Sequence, residues 1–248
     1  MDPLLHIEDL VGGYTQKNVL HGISFNVHPN EIVGLIGLNG AGKSTTIKHI
    51  IGLMQQKKGK VEIKGKTFQQ SPETYRGNFA YIPEMPLLYD ELTLYEHLRL
   101  TAMAYNIDEQ TFKKRLDPLL KEFRLEKKLK WFPVHFSKGM RQKVMIMCAF
   151  LIEPPLYIVD EPFVGLDPLG IQSYLQLMNE MKEKGSGVLM STHILATAER
   201  YCDRFVILHD GKVKALGTLK DLQNEFNMPR ATLDDIYVQL TKEEDSYV

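Results

Sequence analysis

Residues 37–44 read Gly37-Leu38-Asn39-Gly40-Ala41-Gly42-Lys43-Ser44, which satisfies G-x-x-x-x-G-K-[ST] at every position. Such a run serves phosphate binding. Gly37, Gly40 and Gly42 let the backbone curl until successive N–H groups point inward at phosphate oxygens. Leu38, Asn39, Ala41 and Thr45 complete the candidate cradle. A helix starting at its end adds the positive pole of its dipole. Lys43 brings a mobile positive charge to the β- and γ-phosphates, and Ser44 a hydroxyl ligand for Mg²⁺. A glycine-rich turn without a ligand would have no need of the Lys-Ser pair.

A second pair of reactive residues, Asp160-Glu161, follows the apolar run Leu156-Tyr-Ile-Val159. Four apolar residues of that kind carry an acid to the carboxyl end of a buried strand, where ligands of open α/β sheets gather. Asp160 is placed to hold Mg²⁺. Glu161 is placed to polarise a water for in-line attack on a γ-phosphate. Alone, an Asp-Glu pair would more often cap a helix or face solvent. Joined to residues 37–44, it points to a nucleotide triphosphatase. His193 stands 32 residues past Glu161, after Ser191-Thr192 and the apolar Gly187–Met190. That position implies a γ-phosphate contact.

These groups need strands that end together. Residues 31–36 and 187–190 are continuous apolar runs, as is 205–208, which marks strands buried on both faces. Apolar residues at helical spacing fill 171–184, and Ile47, Ile50, Ile51 and Met54 place a helix over 45–54. Buried strands alternating with helices imply a parallel sheet with right-handed crossovers. Residues 4–9 and 19–27 read as antiparallel edge strands. Residues 90–152 carry helical stripes, Leu94, Leu98, Ala102 and Tyr105 in one and Phe112, Leu116, Leu119, Leu120 and Phe123 in another. Pro118 predicts a kink there. The fold class is therefore α/β, with an antiparallel β-subdomain and an inserted α-helical subdomain. One domain spans 1–248: 1–85 and 153–217 form the α/β core, 86–152 the helical subdomain, and 218–248 a helical tail that frays at its end.

Composition narrows the function. The chain has 248 residues, and 30 Lys and Arg against 31 Asp and Glu leave a net charge of −1. Proteins that grip nucleic acid through their field carry a strong basic excess, so no nucleic-acid partner is expected. The basic stretch 121–130 is interrupted by Glu122 and Glu126 and reads as a solvated helix face. Cys148 and Cys202, the two cysteines, lie in unrelated contexts, the first in an apolar run. Neither a disulfide framework nor a zinc site follows. The N-terminus lacks the basic region and apolar stretch of a leader, and no apolar run is long enough to cross a membrane.

Ser137 lies 94 residues beyond Lys43 in Phe136-Ser137-Lys138-Gly139-Met140-Arg141-Gln142. Ser137 suits an N-cap, Gly139 permits close backbone approach, and the apolar residues beyond can run on as a helix. This would be a second anion-binding helix start. No Asn-Lys-x-Asp segment for reading guanine occurs. Over nearly its whole length, the chain resembles the ATP-binding subunits of ABC (ATP-binding cassette) transporters, whose fold is that of the RecA-like P-loop NTPases. By that resemblance Tyr14 stacks on adenine, although it could instead pack in the β-subdomain. Residues 37–44 are the Walker A loop and Tyr81-Ile-Pro-Glu84 the Q-loop. Residues 136–142 are the signature, Asp160-Glu161 ends Walker B, Gly165-Leu-Asp167 is the D-loop, and His193 is the switch histidine.

The resemblance implies Mg²⁺ and ATP as cofactors and Glu161, His193 and Lys43 as catalytic residues. It also implies a head-to-tail dimer with a second copy, each ATP lying between one chain's phosphate loop and the other's Ser137, Lys138, Gly139 and Asp167. A separate integral membrane permease would be the transport partner, received near the apolar segment 85–95. The chain would then be cytoplasmic, peripheral to the inner face of the membrane. A soluble regulatory ATPase acting on a non-membrane partner is the other reading. Two-cassette chains and chains with a long coiled coil before the signature do not match this one. Three departures from the pattern stand out, one of them Met140 where the common signature has Gln. Glu84 replaces the usual Gln and is either a metal ligand beside Ser44 and Asp160 or turned away. Lys138 replaces a Gly and either adds a cation near the opposing triphosphate or lies in solvent.

Overall fold

The structure, a computed structural model, describes residues 2–14 and 17–245. Two sheets organise it. The first is antiparallel and holds β1 (Leu5–Gly12), β2 (Leu20–Val27), β4 (Lys58–Ile63) and β5 (Lys66–Thr67), in the order β2-β1-β4-β5. The second holds β3 (Ile32–Ile36), β6 (Phe79–Ile82), β7 (Leu156–Asp160), β8 (Gly187–Thr192), β9 (Arg204–His209) and β10 (Lys212–Gly217). Its order is β10-β9-β3-β8-β7-β6, and only β10 runs antiparallel to its neighbour. This is the parallel-sheet core the continuous apolar runs imply.

Alternation along each strand splits the core between two faces. Val33, Leu35, Ile158, Leu189, Val206 and Leu208 face the antiparallel sheet and helix α1 (Lys43–Ile50). Ile32, Tyr157, Val159, Val188 and Met190 face a layer built from α3 (Leu94–Ala104), α4 (Glu109–Phe123), α5 (Lys138–Ile152) and α6 (Pro168–Glu183). Ile36, Phe205 and Ile207 meet α7 (Leu195–Tyr201), α8 (Leu219–Glu225) and α9 (Leu233–Asp245). Helix α2 (Pro72–Gly77) buries Tyr75, whose hydroxyl donates to Ile50 O at 2.6 Å.

Four expectations change. β1 is not an edge strand: it pairs with β2 on one side and β4 on the other, and β2 is the edge. α1 stops at Ile50, because Gly52 takes a left-handed φ of 77° that turns the chain before Met54. α4 runs unbroken past Pro118, and it is Arg124, at φ 58°, that ends it. The basic stretch 121–130 is thus not one helix face but a helix end followed by a 3₁₀ turn at Glu126–Lys128, with Phe123 and Leu125 buried beneath it. The expected fraying falls on 246–248, outside the described residues. Among the described residues no helix is long and apolar enough to cross a membrane.

The register sets the site. Ile36 lies opposite Thr192, Asp160 opposite Ser191, and Ile82 opposite Val159. Four parallel strands therefore end at one edge of the sheet; Gly37, Glu161 and His193 follow directly, and Glu84 one residue further on. The chain leaves central β3 for the edge at β6 and returns strand by strand, which creates a crevice at the carboxyl ends.

Candidate functional site

A cleft of about 430 Å³ opens at that edge. Its walls include Tyr14, Asn39, Gly40, Gly42, Lys43, Ser44, Thr45, Glu84, Glu161 and His193, so most of the expected residues come together. Val19 also lines it, and nothing in the residue pattern marked that position. Gly37, Leu38 and Ala41 belong to the loop but not to these walls, and Asp160, the last residue of β7, is buried behind them.

The loop's curl depends on two glycines in left-handed conformations, Gly40 at φ 90° and Gly42 at φ 110°. Gly42 is the residue before α1, and its carbonyl accepts both the N–H and the hydroxyl of Thr46 at 2.9 Å. Lys43 folds back over the loop, its Nζ donating to Gly37 O at 2.8 Å and Leu38 O at 3.3 Å. The same ammonium is 4.0 Å from Glu161 Oε1. Burial lowers the Lys43 pKa, and the attraction of Glu161, Asp160 and Glu84 works the other way. Tyr14 borders the open side. Its hydroxyl accepts from Lys48 Nζ at 2.9 Å, and this bond holds the phenol pKa down. Lys48 also lies 5.2 Å from the ring centre, an orienting contact the spacing did not single out.

At the end of β7, burial raises the Asp160 carboxyl pKa, while a short hydrogen bond from the Ser191 hydroxyl, the pull of Lys43 and the hydroxyl of Ser44 oppose the rise. Glu161 sits at φ 46°, the left-handed region a glutamate rarely adopts. Its N–H donates to Ser191 O at 3.1 Å and Oγ at 3.3 Å, which holds the strained turn. One carboxylate oxygen accepts from His193 Nδ1 at 2.8 Å, so that nitrogen carries the proton when Glu161 is ionised. A carboxylate fixed by an imidazole and an ammonium is equipped to take a proton from water. Glu84 faces the cleft; it is not turned away.

The second helix start lies elsewhere. Ser137 caps α5, its hydroxyl accepting from Met140 N–H at 3.3 Å, and both Ser137 and Lys138 are exposed. None of Ser137, Lys138, Gly139 or Asp167 reaches the cleft of its own chain. The close approach that Gly139 permits is made by Gly165: a Cβ at 139 would stand 2.5 Å from Gly165 O. Asp167 caps α6 through Gly170 N–H at 3.0 Å and pairs with Lys143 of α5 at 2.9 Å, which lowers its pKa. Fully buried Gln142 donates to Pro83 O at 3.2 Å, so α5 also grips the residue before Glu84.

Comparison with known proteins agrees with this geometry. Residues 20–164 match the ABC transporter family model. The ABC-type transporter ATP-binding protein EcsA of Bacillus subtilis (strain 168) is 67% identical over 241 residues, spanning 97% of this chain and 98% of that one. A solved ATP-binding subunit of an ABC transporter superposes with a TM-score of 0.94 at 64% identity, covering 96% of this chain and 99% of the other. CbiO1 of Clostridium perfringens, part of the ABC transporter complex CbiONQ, gives 0.77 at 27% identity over 91% and 92%. With its nucleotide loop, acid pair and histidine gathered at one sheet edge, the chain belongs to the ATP-binding, ATP-hydrolysing subunits of ABC transporters.

Proposed function

We propose that the cleft binds ATP with Mg²⁺, that Glu161 takes the proton of the attacking water, and that two copies close head to tail over two nucleotides. The observation that carries this reading is the meeting of Lys43, Glu161 and His193 within one cleft. Residues 37–45 supply N–H groups and Lys43 for the phosphates, and Tyr14 a face for the base. Ser44 and Asp160 are oxygen donors within reach of one another, with Glu84 on the adjoining wall. Mg²⁺ is commonly held by one or two carboxylates together with phosphate oxygens, so the donor set fits it. Bound there, Mg²⁺ would neutralise charge growing on the β- and γ-phosphate oxygens. His193 orients Glu161 and, half-exposed, stands where the γ-phosphate would enter.

The exposed cap at Ser137 supports pairing in trans, since an anion-binding helix start that serves no site in its own chain can serve its partner's. Subunits of this family dimerise and pair with a membrane permease. The permease proposed here is EcsB-like, after the likeness to EcsA, with the chain held at the cytoplasmic face of the membrane. Exposed Met85, Leu87 and Tyr89, the last held by His97 through its N–H at 2.9 Å, give that partner an apolar surface beside Glu84.

A mixing experiment tests the arrangement. Lys43→Ala removes one chain's phosphate grip, and Ser137→Arg blocks one chain's contribution to its partner. Each alone loses ATP hydrolysis. Mixed, they form hybrids with one intact composite site, and activity returns. Wild-type turnover by Ser137→Arg alone, or no recovery on mixing, refutes the head-to-tail dimer.

A further inference from the structure

Helix α9, near the end of the chain, reaches the phosphate loop. It starts at a reciprocal cap in which Thr232 N–H donates to Asp235 Oδ2 at 2.9 Å and Asp235 N–H to Thr232 Oγ1 at 3.2 Å. Leu233 N–H donates to Glu199 of α7 at 2.6 Å, which sets the helix in place. Leu233, Ile236 and Tyr237 then share one face, three and four residues apart, buried with Ile36 and Ile207. Ile36 directly precedes the loop. The Tyr237 ring meets His209 edge-on at 6.5 Å, and its hydroxyl accepts the Leu38 N–H at 3.1 Å.

That N–H belongs to the same peptide unit as the Gly37 carbonyl, which accepts Lys43 Nζ at 2.8 Å. A peptide unit is planar, so whatever holds its N–H aims its C=O. The other side of this turn is closed by β9: a Cβ at Gly37 would stand 2.4 Å from Leu208 O. The Leu38 side chain is 56% exposed and gives the peptide little anchorage of its own.

We infer that Tyr237 is a positioning residue for the nucleotide site, its hydroxyl holding the Gly37–Leu38 peptide in the plane that aims Lys43 and the loop's N–H groups. This rests on reading 37–45 as the phosphate cradle. Without the hydroxyl the loop is correctly aimed only part of the time, and affinity falls by that fraction. The cradle serves the phosphates ATP and ADP have in common, so both weaken alike. Glu161 and His193 directly follow β7 and β8 and keep their geometry, so turnover at saturation changes little.

Tyr237→Phe in the full chain fills the same space and removes only the hydroxyl. The inference expects KM for ATP and Kd for ADP, both with Mg²⁺, to rise about 3- to 10-fold, the factor one net hydrogen bond supplies. It expects kcat within about twofold and Tm lowered by no more than about 5 °C, the shift that one such bond makes in a chain of this size. Unchanged KM and Kd overturn it, as does a fall in Tm with affinity intact, the signature of a purely structural tyrosine. Lys43→Ala, measured alongside, separates the levels. If it loses nucleotide and Tyr237→Phe binds normally, this inference alone falls; if Lys43→Ala also binds normally, the cradle reading falls with it.

Discussion

Replacing Glu161 by Gln isolates one chemical step. The amide keeps the side chain's volume and an oxygen that can accept from His193 Nδ1, now at 2.8 Å. It gives up only the capacity to hold a proton and the negative charge. General-base removal costs about 10²- to 10⁴-fold, or about 3–5 kcal/mol of barrier. The charge has a second effect. At 4.0 Å from Lys43, it exerts an attraction of about 4 kcal/mol before desolvation at an effective dielectric of about 20. Most of that is offset by burial, but its loss frees the ammonium for a triphosphate. The variant should hydrolyse at least about a hundredfold more slowly in single turnover. It should also bind ATP no more weakly than the wild type and accumulate as dimers with ATP and Mg²⁺, visible by light scattering after size exclusion. Hydrolysis within about tenfold of wild type would remove Glu161 from the role of base. Weaker ATP binding would refute the charge argument even if catalysis were lost.

Three further outcomes follow from the same geometry. Asp160→Asn should raise Tm of the nucleotide-free protein at neutral pH by roughly 2–4 °C while abolishing turnover. Burial raises this carboxyl's pKa, so its charge opposes folding above that pKa; the gain should shrink as the pH falls and Asp160 itself becomes neutral, which calorimetry across pH will check. Gln142→Ala removes a buried donor to Pro83 O and leaves a void, a loss of about 2–3 kcal/mol that should lower Tm by roughly 5–10 °C; an unchanged melting curve would show that the bond is not made. Chelating divalent cations should lower ATP affinity at least about tenfold by titration calorimetry, since Asp160, Glu161 and Glu84 then face the phosphates unscreened; Asp160→Asn with Glu84→Gln should recover part of the loss, and metal-independent affinity in the wild type would contradict it.

How much of this was legible beforehand depended on whether a signal was local. The strand–loop–helix at 32–50 was plain because continuous apolar residues, three glycines and a Lys-Ser pair are all short-range features. Ser137 was legible as a cap for the same reason. β4 and β10 were not read as strands: Lys58, Gly59 and Lys60, like Lys212 and Lys214, break the apolar alternation on the wetter half of each. The edge assignment of β1 failed because periodicity reports which face is buried, not how many neighbours a strand has, and β4 arrives some fifty residues later. The residue type at 84 left two orientations open, and only the ending of β6 beside β7 turned Glu84 into the cleft. Tyr237 left no trace at all, since its partner Leu38 is 199 residues away in sequence.

The charge inventory of the cleft bears on the pairing proposed above. Among the described residues lining it, Lys43 is the only ammonium or guanidinium, against Glu84 and Glu161 on the walls and buried Asp160 behind them. Burial already works against both signs, lowering the Lys43 pKa and raising that of Asp160. A triphosphate entering this cleft alone would gain the loop's N–H groups and the α1 dipole, but would meet these three acids. Under the proposed pairing, positive charge from outside would restore the balance: a divalent cation beside Ser44 and Asp160, and across the opening the exposed start of a second α5. Both contributions would bear on the γ-phosphate. Cleaving it would then remove what they share, so the acid proposed as base would also undo the proposed closure. A cleft sufficient for tight binding on its own would have no reason to open.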